Sequence, residues 1–264
     1  MYEKTFLLNN GVRIPQVGLG VFKIPKGRKT QETVISALKL GYRLIDTAAI
    51  YGNEKDVGLA IKKSNVPRDK LFITTKLHPL RFFNVEKGFY SSMKRLGVDY
   101  IDMYLIHWPF LRKEKVWKTI EKIYLRGHVR AIGVSNYGLR DLQRLSCTWT
   151  IKPAVNQIEL HPFLAQKGIT QFCKKREILI EAHSPLTHGK LIFSEEITTI
   201  ARKYSKSNAQ ILLRWSLQKG NIVIPKARSI QHLRENLKVF DFKLNINDMK
   251  KLNSLNENHH VAFL

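Results

Sequence analysis

The 264-residue chain has little of several things, and each shortage closes a class of function. It holds only 2 cysteines, Cys147 and Cys173. They make no CxxC pair and no His/Cys metal spacing, so no metal is expected. The sequence leaves a disulfide between them open, but reduced thiols and a cytoplasmic setting are the expectation. No apolar run approaches the ~18 residues of a membrane span, which argues against a membrane protein. The opening Met1-Tyr2-Glu3-Lys4 sets acid beside base with no apolar stretch behind it, unlike a signal peptide. Low-complexity tracts and long linkers are missing too, and one domain spanning 1–264 is expected.

Acid is the scarcest commodity. Against 45 Lys and Arg there are 21 Asp and Glu, a net charge of +24. Such a field attracts anions of any kind, from phosphorylated cofactors to RNA. A nucleic-acid module concentrates its bases on one arm or face. Here they run from Lys4 to Lys251, in clusters no longer than Arg112-Lys113-Glu114-Lys115 and Lys174-Lys175-Arg176. A solvated basic surface is favoured, with no specific nucleic-acid partner. No heptad or long apolar patch stands out, so a monomer is expected.

What is present is a rhythm. Thr5-Phe6-Leu7-Leu8 and Val12-Arg13-Ile14 flank Asn9-Asn10-Gly11, which reads as a β-hairpin. Eight short apolar runs follow: Gln16–Gly20, Leu44–Asp46, Leu71–Lys76, Ile101–His107, Val129–Ser135, Ala154–Glu159, Ile178–His183 and Ile222–Lys226. Segments with helical spacing separate them, such as Thr33, Ala37, Leu38, Leu40 and Val116, Ile120, Ile123, Tyr124. Ser207-Asn208-Ala209-Gln210 has the form of a capping box, and a last helix is expected over Asn247–Leu255. The alternation predicts an α/β chain folded as a (β/α)₈ TIM barrel, with a doubly wound sheet as the competitor. Nearly every run ends in a polar or reactive residue: Asp46, Lys76, His107, Ser135-Asn136, Gln157 with Glu159, His183, Lys226. In barrel enzymes those edges form one mouth.

Asp46-Thr-Ala-Ala-Ile-Tyr51-Gly52, Lys76 in Phe72-Ile-Thr-Thr-Lys76, and His107 before Trp108-Pro109 resemble the catalytic set of the aldo-keto reductases. So do Gly133-Val-Ser-Asn136, Asn156-Gln157-x-Glu159-x-His161-Pro162 and Ile224-Pro225-Lys226. The motifs are collinear and cover almost the whole chain, and the outline is closest to the short-loop microbial branch with diketogluconate and methylglyoxal reductases. The family is a (β/α)₈ barrel that uses NAD(P)H without a Rossmann fingerprint. Gly18-Leu-Gly20 fits that, since the third glycine of G-x-G-x-x-G is missing.

The resemblance implies a carbonyl reductase. Hydride transfer leaves an alkoxide that needs a proton, which Tyr51 supplies. A phenol has a pKa of about 10, and the Lys76 ammonium is expected to lower it, with Asp46 holding Lys76 in place. His107 aims and polarises the substrate oxygen. Ser135, Asn136 and Gln157 resemble the residues on the nicotinamide carboxamide, and Gly20, Val21, Phe22 and Asp46 fall against the same end. Ser184-Pro-Leu186 resembles the loop over the pyrophosphate, Lys226 with Ala227 the site of the 2′-phosphate, and Glu235 and Asn236 the pair on the adenine. The cofactor implied is NADPH, with NADH as the alternative.

Two positions depart from the family. His183 stands where a Tyr or Trp usually stacks on the nicotinamide, and an imidazole offers less area and can carry charge. His232 stands where NADPH-preferring members often have Arg. For substrate, Phe22, Tyr51, His107 and Trp108 form an aromatic wall, with His78 where many relatives carry Trp. Short segments after Pro109, after Leu186 and beyond Phe242 leave the mouth open and basic. Small or anionic carbonyl compounds are expected over steroids, with small dicarbonyls, keto-sugars or aromatic aldehydes as the candidates. The competing readings are a non-catalytic NADP(H)-binding regulatory protein of the same fold and a basic nucleic-acid binder.

Overall fold

A computed structural model describes residues 4–109 and 113–262. Met1, Tyr2, Glu3 and Arg112, named above, lie outside that range. Thr5–Leu7 (β1) and Arg13–Pro15 (β2) pair antiparallel with Phe6 opposite Ile14, and Gly11 at φ +84 makes the turn between them. This is the expected hairpin.

The chain then alternates strand and helix. Gly18–Gly20 (β3) is followed by Arg28–Lys39 (α1), Leu44–Asp46 (β4), Glu54–Lys63 (α2), Phe72–Leu77 (β5) and Val85–Leu96 (α3). Next come Ile101–Ile106 (β6), Lys113–Leu125 (α4), Val129–Ser135 (β7), Leu139–Ser146 (α5), Val155–Glu159 (β8) and Lys167–Lys175 (α6). Leu179–His183 (β9), Glu195–Tyr204 (α7), Asn208–Gln218 (α8), Ile222–Val223 (β10), Ile230–Leu237 (α9) and Ile246–Ser254 (α10) complete it. Each of the eight apolar runs carries a strand, the third extending one residue further to Leu77. The last is the shortest, because Pro225 has no N–H to extend a ladder. The capping box forms as written: Ser207 Oγ accepts from Gln210 N, and Gln210 Oε1 accepts from Ser207 N.

β3 to β10 form one parallel sheet in sequence order. A bridge between Val17 and Val223 joins its two edges, and Val223 N donates to Gln16 O at 3.0 Å. The sheet therefore closes into a (β/α)₈ barrel, and the doubly wound alternative falls. Two cores follow from the period-2 alternation of the strands. Residues such as Ile45, Ile73, Tyr104, Ile132 and Ile180 face outward and pack under the helices. Their neighbours Leu44, Phe72, Met103, Leu105, Ala131, Val155 and Ile222 fill the lower lumen, sealed by Leu8 and Ile14 of the hairpin. Higher in the lumen the inward residues turn polar. The barrel is thus plugged with hydrocarbon at one end and lined with titratable groups at the other.

Cys147 is exposed, Cys173 is buried, and both are free. No helix among the described residues is long and apolar enough to cross a membrane.

Candidate active site

The polar end begins at β4. Asp46 closes that strand, and the chain turns through one 3₁₀ turn, Ala49–Tyr51, before α2. Gly52 at φ +68 ends the turn, a left-handed conformation that favours glycine. Buried Asn53 pins the loop, accepting from Thr47 Oγ1 at 2.8 Å and donating to Val21 O at 3.1 Å. Tyr51 is thereby aimed over the barrel axis.

Lys76 comes up from β5 with no exposed surface. Its Nζ donates to both Asp46 oxygens at 2.7 and 2.8 Å and to Thr47 O at 2.9 Å, and reaches Tyr51 Oη at 3.4 Å. Burial alone lowers the Lys76 ammonium, but the charge and hydrogen bonds of Asp46 act against it, and the group ends above the usual lysine value. Burial raises the Asp46 carboxyl, with Lys76 pulling it down. At Tyr51 the outcome differs from the sequence expectation. Lys76 does act to lower the phenol, but burial is the larger effect and the group ends above its ordinary value. Before substrate arrives, Tyr51 is a firmly protonated phenol.

His107 follows β6 with its ring 5.7 Å from that of Tyr51 and stacked on Trp108 at 3.8 Å. Burial, then Lys76, His183 and His78, push its pKa down to about 2, so the ring is neutral. Its Nδ1 is buried without a partner. With no acceptor there, the tautomer with hydrogen on Nε2 is favoured.

His183, at the end of β9, belongs to a chain of hydrogen bonds with one consistent assignment. Asn136 Nδ2 donates to His107 O at 3.0 Å, which leaves Oδ1 to accept from His183 Nε2 at 3.0 Å. His183 Nδ1 then accepts from Ser184 Oγ at 3.1 Å, which lies 2.9 Å from His188 Nε2. Burial against the wall pushes His183 down to about 4, although part of the ring opens to the cavity. The imidazole is therefore neutral at physiological pH, which removes one of the two concerns the sequence raised. Asn136, Ser184, Thr187 and His188 all take φ between +51 and +59. Strained backbone of this kind gathers at functional sites.

These groups border a cavity of about 330 Å³. Of the predicted residues, Gly20, Phe22, Asp46, Tyr51, His107, Trp108, Ser135, Asn136, Gln157, His183, Ser184, Leu186 and Lys226 line it. Gly20 leaves no room for a side chain, since a Cβ there would lie 2.7 Å from Ile224 O. Lys76 is buried against Asp46 and Tyr51 of that lining, while Val21 and Ala227 are buried and do not line it. His78 faces a small recess beside it with His107 and Trp108, and its Nδ1 accepts from Leu80 N. His232, Glu235 and Asn236 stand apart on α9, where Ser229 caps the helix at His232 N and Asn236 is buried against Tyr42.

Several wall residues escaped the sequence reading: His188, Gly189, Ile192 and Ala262. Ala262 is held there by Glu159, whose Oε1 accepts from Val261 N at 2.8 Å and Ala262 N at 2.9 Å. His260 Nδ1 meets the other oxygen at 3.0 Å. Burial raises the Glu159 carboxyl, but hydrogen bonds from His161, Ala262, Val261 and His260 override it and bring it down to about 2. In sequence Glu159 stood out as a strand-end acid within the Asn156–Pro162 motif, with no sign of its hold on the terminal segment.

The Aldo/keto reductase family model matches residues 16–257. Glyoxal reductase of Bacillus subtilis is 47% identical over 268 residues, covering 98% of this chain and 95% of that protein. An aldo/keto reductase crystal structure from Brucella melitensis superposes with a TM-score of 0.92 at 43% identity, covering 97% of this chain and 100% of that one. That of the Bombyx mori aldo-keto reductase in complex with NADP gives 0.94 at 32% identity, covering 100% and 96%. The chain, with its closed barrel and its Asp46–Lys76–Tyr51 cluster, belongs to the aldo-keto reductase family and is an oxidoreductase.

Proposed function

We propose that the protein reduces aldehydes and ketones to alcohols with NADPH, Tyr51 giving the proton to the substrate oxygen. The observation that carries this reading is the position of Lys76 Nζ, bound to both oxygens of Asp46 and 3.4 Å from Tyr51 Oη. A proton leaving Tyr51 would create a phenolate beside that ammonium, which stabilises it. Neutral His107, with hydrogen on Nε2, donates to the same substrate oxygen and fixes its direction.

The residues present fit a nicotinamide dinucleotide. Gln157 Nε2 faces two carboxyl groups, Asp46 Oδ2 and Glu181 Oε2, which leaves Oε1 as an acceptor toward the cavity. With Ser135 Oγ and Asn136 it makes an amide and hydroxyl set suited to a carboxamide. His183 supplies a neutral planar ring beside them. At the far end Lys226 supplies a cation for phosphate, with Lys23 and Arg228 near enough to influence it. When bound, the cofactor supplies the hydride. The structure of the Bombyx mori relative with NADP supports that choice of cofactor, with NADH as the lesser one.

The substrates proposed are small dicarbonyls, keto-sugars and aromatic aldehydes. The glyoxal reductase relative supports the first class, and Phe22, 44% exposed with its ring 4.9 Å from Tyr51, supports an aromatic wall for the last. The test is NADPH oxidation with methylglyoxal in the wild type and in Tyr51→Phe. Turnover by the wild type should fall by about 10²–10⁴-fold in the variant, while NADPH binding followed by fluorescence stays within about twofold. Binding without turnover in the wild type would instead favour a regulatory nucleotide-binding protein. Near-normal turnover by the variant would remove Tyr51 as the donor.

A further inference from the structure

Below the Asp46–Lys76 pair the lumen contains a second acid that the proposed chemistry leaves unused. Glu181 lies two residues before His183 on β9 and is fully buried. In the ladder it stands beside Gln157 of β8 and Ile222 of β10. Gln157 Nε2 donates to Asp46 Oδ2 at 2.8 Å and to Glu181 Oε2 at 3.0 Å, so one amide group ties the two carboxyls together. The other oxygen, Glu181 Oε1, is buried with no partner, as is Thr74 Oγ1 on β5.

The surroundings decide its charge. β4 contributes Asp46, β5 contributes Lys76, and the turn after β4 contributes Tyr51. β8 offers Gln157, with Glu159 at its end drawn away to the chain terminus. β10 and the residue after it offer only Ile222 and Ile224. His107 and His183, above, are neutral. Two carboxyls therefore share one ammonium, and that ammonium spends its three shortest contacts on Asp46 and Thr47 O. A second buried negative charge, with one amide hydrogen and no cation of its own, is unfavourable.

We propose that Glu181 is carried as a neutral carboxylic acid and is a positioning residue for the proton donor, its ionisation making Tyr51 a poorer acid. The proposal rests on the reading of Tyr51 as donor. Burial, then the Asp46 charge, push the Glu181 carboxyl up to about 8, against the pull of Gln157 and Lys76. Above that pH Glu181 gives its proton to solvent, and the charge left behind raises both Tyr51 and Lys76. Carbonyl reduction then slows on the alkaline side before Tyr51 itself titrates.

The test is the pH profile of kcat for methylglyoxal reduction, from about pH 6 to about pH 10, in the wild type and in Glu181→Gln. The variant keeps the shape of the side chain and an oxygen for Gln157. The wild type should show an alkaline limb centred near 8, and the variant should move that limb up by about one unit or more. An unmoved limb overturns the proposal. Infrared spectra of the unliganded wild type give a second readout, free of the cofactor and of Tyr51. A protonated-carboxyl C=O band should be present at neutral pH, fade through the same range and be missing from Glu181→Gln. Absence of such a band in the wild type overturns the proposal as well. Activity surviving in Tyr51→Phe would instead sink the underlying reading, so the two failures are told apart.

Discussion

At Lys226 burial, Arg228 and Lys23 lower the ammonium below the usual lysine value. The side chain sits at the cavity edge against repulsion from its neighbours, and a phosphate placed among them relieves it. Charged hydrogen bonds are worth ~1.5–3 kcal/mol, so Lys226→Ala should raise KM for NADPH roughly ten- to hundredfold. KM for NADH, which has no 2′-phosphate, should move by no more than about twofold. Steady-state kinetics with each cofactor check this, and equal losses would remove Lys226 from the 2′-phosphate. Sequence could place such a residue because the lysine follows Ile224-Pro225 at a strand end. It could not place the partners of His183. The bond from His183 to Asn136 spans 47 residues, and the neutrality of the imidazole comes from walls supplied by several elements. Tyr51 shows the same limit, since the Lys76 effect was readable as a motif but the larger effect of burial was not.

Among the elements, the strands were the most legible, because each inward apolar position alternates with an outward one and the runs end at polar residues. The chain terminus was the least. Residues 256–262 have no periodicity to read, yet Asn256 Oδ1 accepts from Ala165 N, His259 N donates to Phe163 O, and Glu159 takes Val261 and Ala262. One strand-end carboxylate thus fastens the terminal segment to the cavity wall. Because the folded value of Glu159 lies near 2, below its ordinary 4.5, the clasp is fully present above the ordinary carboxyl range. It is lost as pH falls from there toward 2. In Glu159→Gln the charge is gone at every pH. Hydrogen exchange at the Val261 and Ala262 amides should speed by roughly tenfold or more, the worth of a charged hydrogen bond. KM for methylglyoxal should rise more than kcat falls, since the wall moves and the proton donor does not. Unchanged protection at both amides would mean that the segment is held by its other contacts.

At the scale of the whole molecule the excess of base has to be set against where it acts. A charge of +24 spread over the surface is screened within about 8 Å at physiological salt. Only the part near the mouth bears on the reaction. Lys23 and Arg228 act on Lys226, and Lys226, Lys23 and Lys190 lower His188, after burial, at the cavity wall. The acids there are engaged: Asp46 with Lys76, Glu159 with the terminal segment. On the proposed reading, a positive field at the mouth should draw in anionic carbonyl compounds faster than neutral ones. With NADPH kept saturating, so that its own phosphates do not confuse the result, kcat/KM for a 2-oxo acid should fall several-fold between about 0.01 and about 0.3 M salt. For uncharged methylglyoxal it should stay nearly flat, because no field acts on the encounter. Parallel slopes for the two substrates would place the basic excess outside catalysis, and the preference for anionic carbonyls would fall with it.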